Sequence, residues 1–307
     1  MLRPSIVVIG SANTDLVVRV PKLPRPGETV TGGALRVVAG GKGANQAVAA
    51  ARAGARVTFV ANIGKDDFGD AAVKGLCRER IDTRYIVRSR TKPSGVALIM
   101  VDAHGENLIS VARGSNNELL PKHADAALLA IRKASCLMAQ LEIPLATVRH
   151  AIELANRHRV PVLLNPAPVQ PVPASVLCRA TFLTPNQHEL TALTGLPAER
   201  KSEVEVAARK LHRLGVAHVL ATCGARGVCW CSAAGVRWFP APKVKVVDTV
   251  GAGDCFSGTF AAAIAEGKSV EEAIRFAVAA AAISVTRPGA QSAMPRRREI
   301  VRALPFR

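Results

Sequence analysis

The sequence predicts an α/β fold, with a mainly parallel central sheet covered by helices on both faces and a small β-sheet lid. Three observations predict it. The runs "SIVVIG" (5–10) and "VTFVANIG" (57–64) are apolar throughout, as strands buried on both faces are. From residue 120 onward, helical and strand patterns alternate, which implies parallel strands joined by crossovers. Two turn-rich stretches with exposed-looking strands interrupt the early part of the chain.

Taken in order, "SIVVIG" closes at Gly10. "DLVVRV" (15–20) and "ALRVVAGG" (34–41) flank the Pro- and Gly-rich "PKLPRPGETVTGG" and read as exposed strands. A helix is expected over 43–53, capped by Gly54, then strand 57–64 and a helix near 67–80. "SGVALIMVDAHGENLISVARGSN" (94–116) reads as a hairpin turning at "DAHGEN". These early strands predict a lid made by two excursions, about 15–38 and 85–113, from one domain spanning 1–307. Thereafter come helix 121–132, strand 136–141, helix 144–158, strand 161–165, strand 181–184, helix 186–194, helix 202–214 and strand 217–222. A hairpin over 227–240 precedes helices near 252–266, 269–285 and 296–304.

The bulk numbers fit one α/β unit with an appendage. The chain has 307 residues, 49% hydrophobic and only 4% aromatic, so Ala, Val and Leu must fill the core. The formal charge of +18 is scattered, densest at Arg296, Arg297 and Arg298, with one Tyr and two Trp. That pattern lacks the aromatic-studded basic stripe of a nucleic-acid binder, so no nucleic-acid partner is expected; anionic small substrates make better use of the charge. Seven cysteines without a CxxC pair predict no zinc site. Cys77, Cys136, Cys178 and Cys223 sit among apolar neighbours and read as buried thiols, and a reduced, cytoplasmic setting follows. No signal peptide or membrane span is expected; "FAVAAAAISV" (276–285) is too short. His150, His158, His212 and His218 read as isolated surface residues.

Four stretches offer chemistry. In "DTVGAGDCFSG" (248–258), Gly251, Ala252 and Gly253 lead into a helix whose first amides make an anion-binding concavity. Asp254 in its first turn then suits a base that takes a proton from an attacking hydroxyl during phosphoryl transfer. The same residues also fit an ordinary helix start. In "TCGARG" (222–227), Thr222 ends a strand and Gly224 and Gly227 let a ligand approach the backbone; these letters alone favour a plain turn into the next strand. In "TPNQHEL" (184–190), Asn186 and Glu189 have capping-box spacing, yet on one helical face they also suit Mg²⁺-bound water near phosphates. Asn13 and Asp15 face one way in an extended segment, as paired sugar contacts do, though an Asx-turn fits too. Glu142 ends another apolar strand and needs a partner there. The loop "VAGGKGANQAVAA" (38–50) is not a Walker loop.

"GGKGANQAVAAARAGA" followed by "DTVGAGDCFSG" resembles the two signatures of the PfkB carbohydrate kinase family, in particular its ribokinase-like branch. "SANTDLVVRVPKLPRPGETVTG", "LEIP", "LNPAP", "TPNQHEL", "TCGARG" and "RPGAQ" resemble further family segments in the same order, over about residues 4 to 302. The resemblance implies a ribokinase-like fold and ATP-dependent phosphorylation of D-ribose at its 5-hydroxyl. It implies Asp254 as catalytic base, with Gly251, Ala252 and Gly253 as the anion hole. Asn13, Asp15, Gly41, Lys42, Gly43, Asn45 and Glu142 would bind sugar. Asn186, Thr222, Gly224, Ala225, Arg226, Gly227 and Gly253 would bind ATP, and Glu189 would serve Mg²⁺. A monovalent cation, K⁺, is implied near Asp248, Val250, Ser284, Arg287 and Gly289. The family commonly has a Ser ligand where this chain has Ala293, with Ser292 one place early. Val278 replaces a residue that is polar in some relatives, near adenine. The lid's exposed face is expected to carry Val17, Val37, Val96, Leu98 and Val111, and the resemblance implies a homodimer through the lid sheets, with Ala97 and Val111 near the sugar. A deoxyribokinase, or another pentose or nucleoside kinase, is the nearest alternative. A non-catalytic sensor is the alternative of another class, and an intact Asp254 argues against it.

Overall fold

A computed structural model describes residues 4–304. Its larger sheet contains β1 (Ser5–Ile9), β4 (Arg56–Gly64), β5 (Asp82–Ser89), β8 (Cys136–Ala139), β9 (Val162–Leu164), β10 (Phe182–Leu183), β11 (His218–Thr222), β12 (Val228–Ser232) and β13 (Gly235–Phe239). Their order is β13-β12-β11-β10-β9-β8-β1-β4-β5. Every pairing from β11 to β5 is parallel, and the β11–β12 and β12–β13 pairings are antiparallel. The smaller sheet has the order β3-β2-β6-β7 and uses β2 (Asn13–Arg19), β3 (Leu35–Gly40), β6 (Gly95–Val101) and β7 (Asn107–Ala112).

Alternation along β1 shows why the large sheet needs two helical layers. Ile6 and Val8 enter one apolar core, and Val7 and Ile9 enter the other. The first core holds α1 (Lys42–Ala53), α2 (Asp67–Arg78), α9 (Ala252–Ala265), α10 (Val270–Ser284) and α11 (Arg297–Ala303). The second holds α3 (Pro121–Ala126), α4 (Leu128–Arg132), α5 (Leu145–Arg157), α6 (Ala174–Leu177), α7 (Gln187–Thr194) and α8 (Lys201–Arg213). The first core is alanine-rich, so its helices lie close. At Gly258 of α9 a side chain would meet the Gln46 carbonyl of α1 at 2.4 Å and the Ala49 Cβ at 2.7 Å. Only hydrogen fits, and this contact brings the front ends of α1 and α9 together.

Several expectations need correction. β5 belongs to the large sheet, so the second excursion into the small sheet starts at Gly95 and not near residue 85. A strand at a sheet edge is only partly covered, and β5, with polar residues at both ends and a short apolar centre, lacks the unbroken apolar run of the buried strands. The helix expected over 121–132 is two pieces that break at Ala127. Short α6 was not anticipated. Cys77 and Cys178 are exposed and not buried. His218 is not a surface residue. Its ring stacks on Phe182 at 5.1 Å and accepts the Trp230 Nε1 hydrogen at 3.2 Å. Burial pushes its pKa down.

Candidate active site

The predicted residues converge where β1, β8, β10 and β11 end and α1, α7 and α9 begin. That is where open parallel sheets place ligands. Gly41 precedes α1 with φ +86°, and a side chain on it would strike the Asn13 nitrogen at 2.6 Å. This close approach sets Lys42, Gly43 and Asn45 beside Asn13 and Asp15 of β2. Glu142, at the end of the β8 connection, has the partners its position demanded. Its Oε2 accepts the Lys42 amide at 2.9 Å and the Ser11 hydroxyl.

Lys42 sits among carboxylates. Four carboxylates, Asp254 foremost and then Glu142, Glu189 and Asp15, hold its ammonium above the usual lysine range although burial opposes this. Burial, then Glu142 and Asp254, pushes Asp15 up to about 6, with Lys42 pulling the other way. Burial also raises Glu189.

Asp254 is 6% exposed in the first turn of α9. Its Oδ2 accepts Asn45 Nδ2 at 3.0 Å, and its Oδ1 accepts Gln46 Nε2 at 2.9 Å. Gly251 caps the helix in the left-handed region, φ +73°. The Ala252 amide donates to the Thr249 carbonyl at 3.2 Å, so it is partly committed to the turn. The Gly253 amide lies in the first turn, where helices leave donors unpaired, and a side chain there would meet nothing within 4 Å.

Next to this helix start lies a cavity of about 420 Å³, lined by Gly253, Ala252, Thr222, Gly224, Ala225 and Gly227. Phe256, Val228, Val278 and Val285 make much of its wall apolar, which suits a planar base. The Arg226 guanidinium is turned outward onto the Glu199 carbonyl. Asn186 and Glu189 form the capping box in full: Asn186 donates to Glu189 from its amide and its side chain at 2.8 Å each, and Glu189 N donates back at 2.9 Å. A bridge between Asn186 and Thr222 ties the two strand ends together. A larger depression of about 1040 Å³ near Arg275 and Leu304 contains none of the predicted residues except its shared wall at Val278.

The residues expected near a monovalent cation are also drawn together. Asp248 accepts Gly289 N at 2.8 Å and Val250 N at 3.0 Å, while Val285 O accepts the amides of Val247 and Asp248. Ser284 and Arg287 fall in the same turn, where Arg287 N donates to Ser284 O at 3.1 Å. One carboxylate amid backbone carbonyls is hard oxygen chemistry and fits a group I cation. Ala293 is buried, and Ser292 bonds back to Pro288 O at 2.9 Å.

Residues 3–297 match the pfkB family carbohydrate kinase. The chain belongs to the pfkB carbohydrate kinases. Among curated pfkB relatives, "Ribokinase" of Haemophilus influenzae is 41% identical over 303 residues, 99% of each chain. "Ribokinase" of Bacillus subtilis is 42% identical over 296 residues, 96% of this chain and 98% of the relative. "Deoxyribokinase" of Salmonella typhi is 40% identical over 291 residues, 94% and 95%. The Arabidopsis thaliana ribokinase solved with ribose and ATP superposes with a TM-score of 0.93 at 35% identity, covering both chains fully. Its fold, like this one, is ribokinase-like.

Gln46, Ser11, Asn165 and Gln291 were missed by sequence reasoning. Gln46 sits inside the quoted motif, but its role depends on α9. The signal available was a long polar side chain directly before the alanine- and valine-rich run of α1.

Proposed function

We propose that the chain is an ATP-dependent kinase that phosphorylates ribose at its 5-hydroxyl, giving ribose 5-phosphate and ADP. The observation that carries this reading is the position of Asp254. It stands between the Asn13–Asp15–Lys42–Asn45–Glu142 cluster and the cavity at Gly253. Sugar held by that cluster, through Gly41 and Gly43 backbone as well, presents a hydroxyl to the carboxylate. Asp254 takes its proton as the oxygen attacks the γ-phosphorus in line, and ADP leaves into the Thr222–Gly227 side. Amides of Gly251 and Gly253, with Ala252 contributing less, carry the charge that spreads over the phosphoryl oxygens. Lys42 balances the carboxylates around it and adds a donor for sugar oxygens.

ATP reaches such enzymes with Mg²⁺, which neutralises phosphate charge; Glu189, fixed by Asn186, would be the carboxylate that meets its water shell. Asp248 with the carbonyls of Val250, Ser284, Arg287 and Gly289 would hold K⁺ and stiffen the anion-hole loop. The lid is the small sheet, and its outer face, with Val37 and Leu98 exposed, suits pairing with a second copy of the chain. Seven free thiols suit a reducing, cytoplasmic compartment. Among the described residues, no helix is long and apolar enough to cross a membrane.

Asp254→Asn tests the reading. Turnover is expected to fall by about 10³-fold or more, with ATP binding retained in calorimetry. Near-normal phosphorylation of ribose by this variant defeats the assignment. The 40% identity to a deoxyribokinase supports a second reading, 2-deoxyribose as acceptor. Comparison of kcat/KM for the two sugars separates them, since a site that bonds the 2-hydroxyl discriminates strongly.

A further inference from the structure

Behind the carboxylate of Asp254 lies a row of side-chain amides that binds neither sugar nor nucleotide in the reading above. Gln46 and Gln140 are both 0% exposed. Gln140 Nε2 donates to Gln46 Oε1 at 2.7 Å. Gln46 Nε2 donates at once to Asp254 Oδ1 at 2.9 Å and to Asn165 Oδ1 at 3.0 Å. Asn165 is itself oriented, because its Nδ2 donates to the Thr184 carbonyl at 2.9 Å. The amide of Gln46 therefore has one permitted direction. Reversed, its oxygen would meet the oxygens of Asp254 and Asn165, and its NH₂ would meet that of Gln140.

The arrangement carries a penalty that points to selection for something other than stability. Gln140 Oε1 is buried with no hydrogen-bond donor among the described residues, and buried acceptors are seldom left so. Gly10 also packs closely here: a side chain on it would lie 2.2 Å from that oxygen and 2.8 Å from the Gly43 Cα, a backbone atom that cannot give way. The opposite carboxylate oxygen is treated alike. Asn45 Nδ2 donates to Asp254 Oδ2, and Asn45 Oδ1 accepts Gln291 Nε2 at 3.1 Å.

We propose that Gln46 is a positioning residue for the catalytic base, oriented by Gln140 and Asn165, and that it fixes the plane of the Asp254 carboxylate. This rests on Asp254 being the base. Lys42, Asp15 and Glu189 all act on Asp254 electrostatically, Cys255 is its neighbour in the chain, and Glu142 acts on Lys42 and Asp15. Against that uneven field, two neutral donors, one per oxygen, hold the carboxylate still without adding charge. The free lone pair then points at the sugar hydroxyl.

The test compares Gln46→Glu, which keeps the shape and removes the donor, with the wild-type protein. Expected is a fall in kcat of about 10²-fold, the scale of a misplaced reacting group. KM for ribose and ATP should stay within about threefold, since Gln46 touches neither. The acid limb of the kcat–pH profile should move to higher pH, because a donor to the carboxylate is lost and a like charge faces it. Should Gln46→Glu fail to fold, Gln46→Met is read by the same three measures. Gln140→Met removes the orphaned oxygen and leaves Asn165 to hold Gln46, so Tm should be unchanged or higher and kcat reduced only a few-fold. A kcat within threefold of wild type with an unmoved acid limb, or a rise in KM for ribose alone, overturns the proposal. If Asp254→Asn is inactive in the same assay, the base reading survives that failure; if Asp254→Asn is active, both fall.

Discussion

In the nine-stranded sheet, four of the five residues of β1 are buried; in the four-stranded sheet, every residue of β7 is exposed. The larger sheet is covered by helices from its own chain on both faces. The smaller one touches the rest of the molecule mainly at its base, where Asn116 Nδ2 donates to Asn13 Oδ1 at 2.7 Å and Asp66 accepts the Ser94 amide at the same distance. The difference teaches where rigidity is required. Phosphoryl transfer needs groups held to fractions of an ångström, and Asp254 grows out of the covered sheet's helices. A cover over a sugar has to move, and a sheet with open faces and few anchors has the low local stability that motion requires.

The largest effect expected from breaking this contrast comes from the covered side. Phe260 is 0% exposed between Phe182 and Phe256, so Phe260→Ala should lower unfolding free energy by about 3–5 kcal/mol in urea titration. A loss below about 1 kcal/mol would show that the alanine-rich layer collapses around the hole. Asp15, at the seam between the sheets, comes next. Its ordinary value is 3.8 and its folded value about 6. An unfolded chain releases that proton first, so this carboxyl favours the folded state below pH 4, and that contribution is lost as pH rises through 6. At pH 7 Asp15→Asn should raise the Tm of the sugar-free protein by about 2–4 °C and weaken ribose binding, read by scanning calorimetry with and without sugar. A lowered Tm would mean that the charge at Asp15 is stabilising.

The open side should answer differently. Leu98→Ser, at a position 55% exposed, should change monomer stability by no more than about 0.5 kcal/mol. If the proposed dimer forms through this face, it should nevertheless shift sedimentation from dimer toward monomer; an unchanged association state would rule that face out as the interface. The smallest effect concerns thiols. In the native protein a mild alkylating agent should label Cys77 and Cys178 and spare the other five, with mass spectrometry as readout. Cys255, adjacent to the base, is pushed up to about 12 by burial, so its modification would signal opening of the covered layer.

Legibility in the sequence followed the same division. The covered strands were plain because burial on both faces forces unbroken apolar runs, as in "SIVVIG". The helix starts at Lys42 and Asp254 were plain because glycine has to precede them. β5 was misread because "DTRYIVRS" has only the three-residue apolar run Tyr85–Val87 between polar ends, too short to show that the large sheet's edge covers it. The break at Ala127 left no mark, since alanine suits either a continuous or an interrupted helix. The clamp on Asp254 was hidden for a different reason. Asn45 and Gln46 are neighbours in sequence, but whether they reach a carboxylate 208 positions away depends on how near two helices lie, and that distance is set by Gly258.

That glycine has a consequence for the timing of synthesis. Asn13, Asp15, Lys42 and Asn45 of the proposed sugar cluster are translated within the first fifty residues, but Glu142 comes later and the proposed base joins them only when α9 docks at Gly258. A chain still emerging from the ribosome can therefore complete several strands of its large sheet and still be unable to spend ATP. Reactivity arrives in one late step, when two distant pieces of the same polypeptide close on each other.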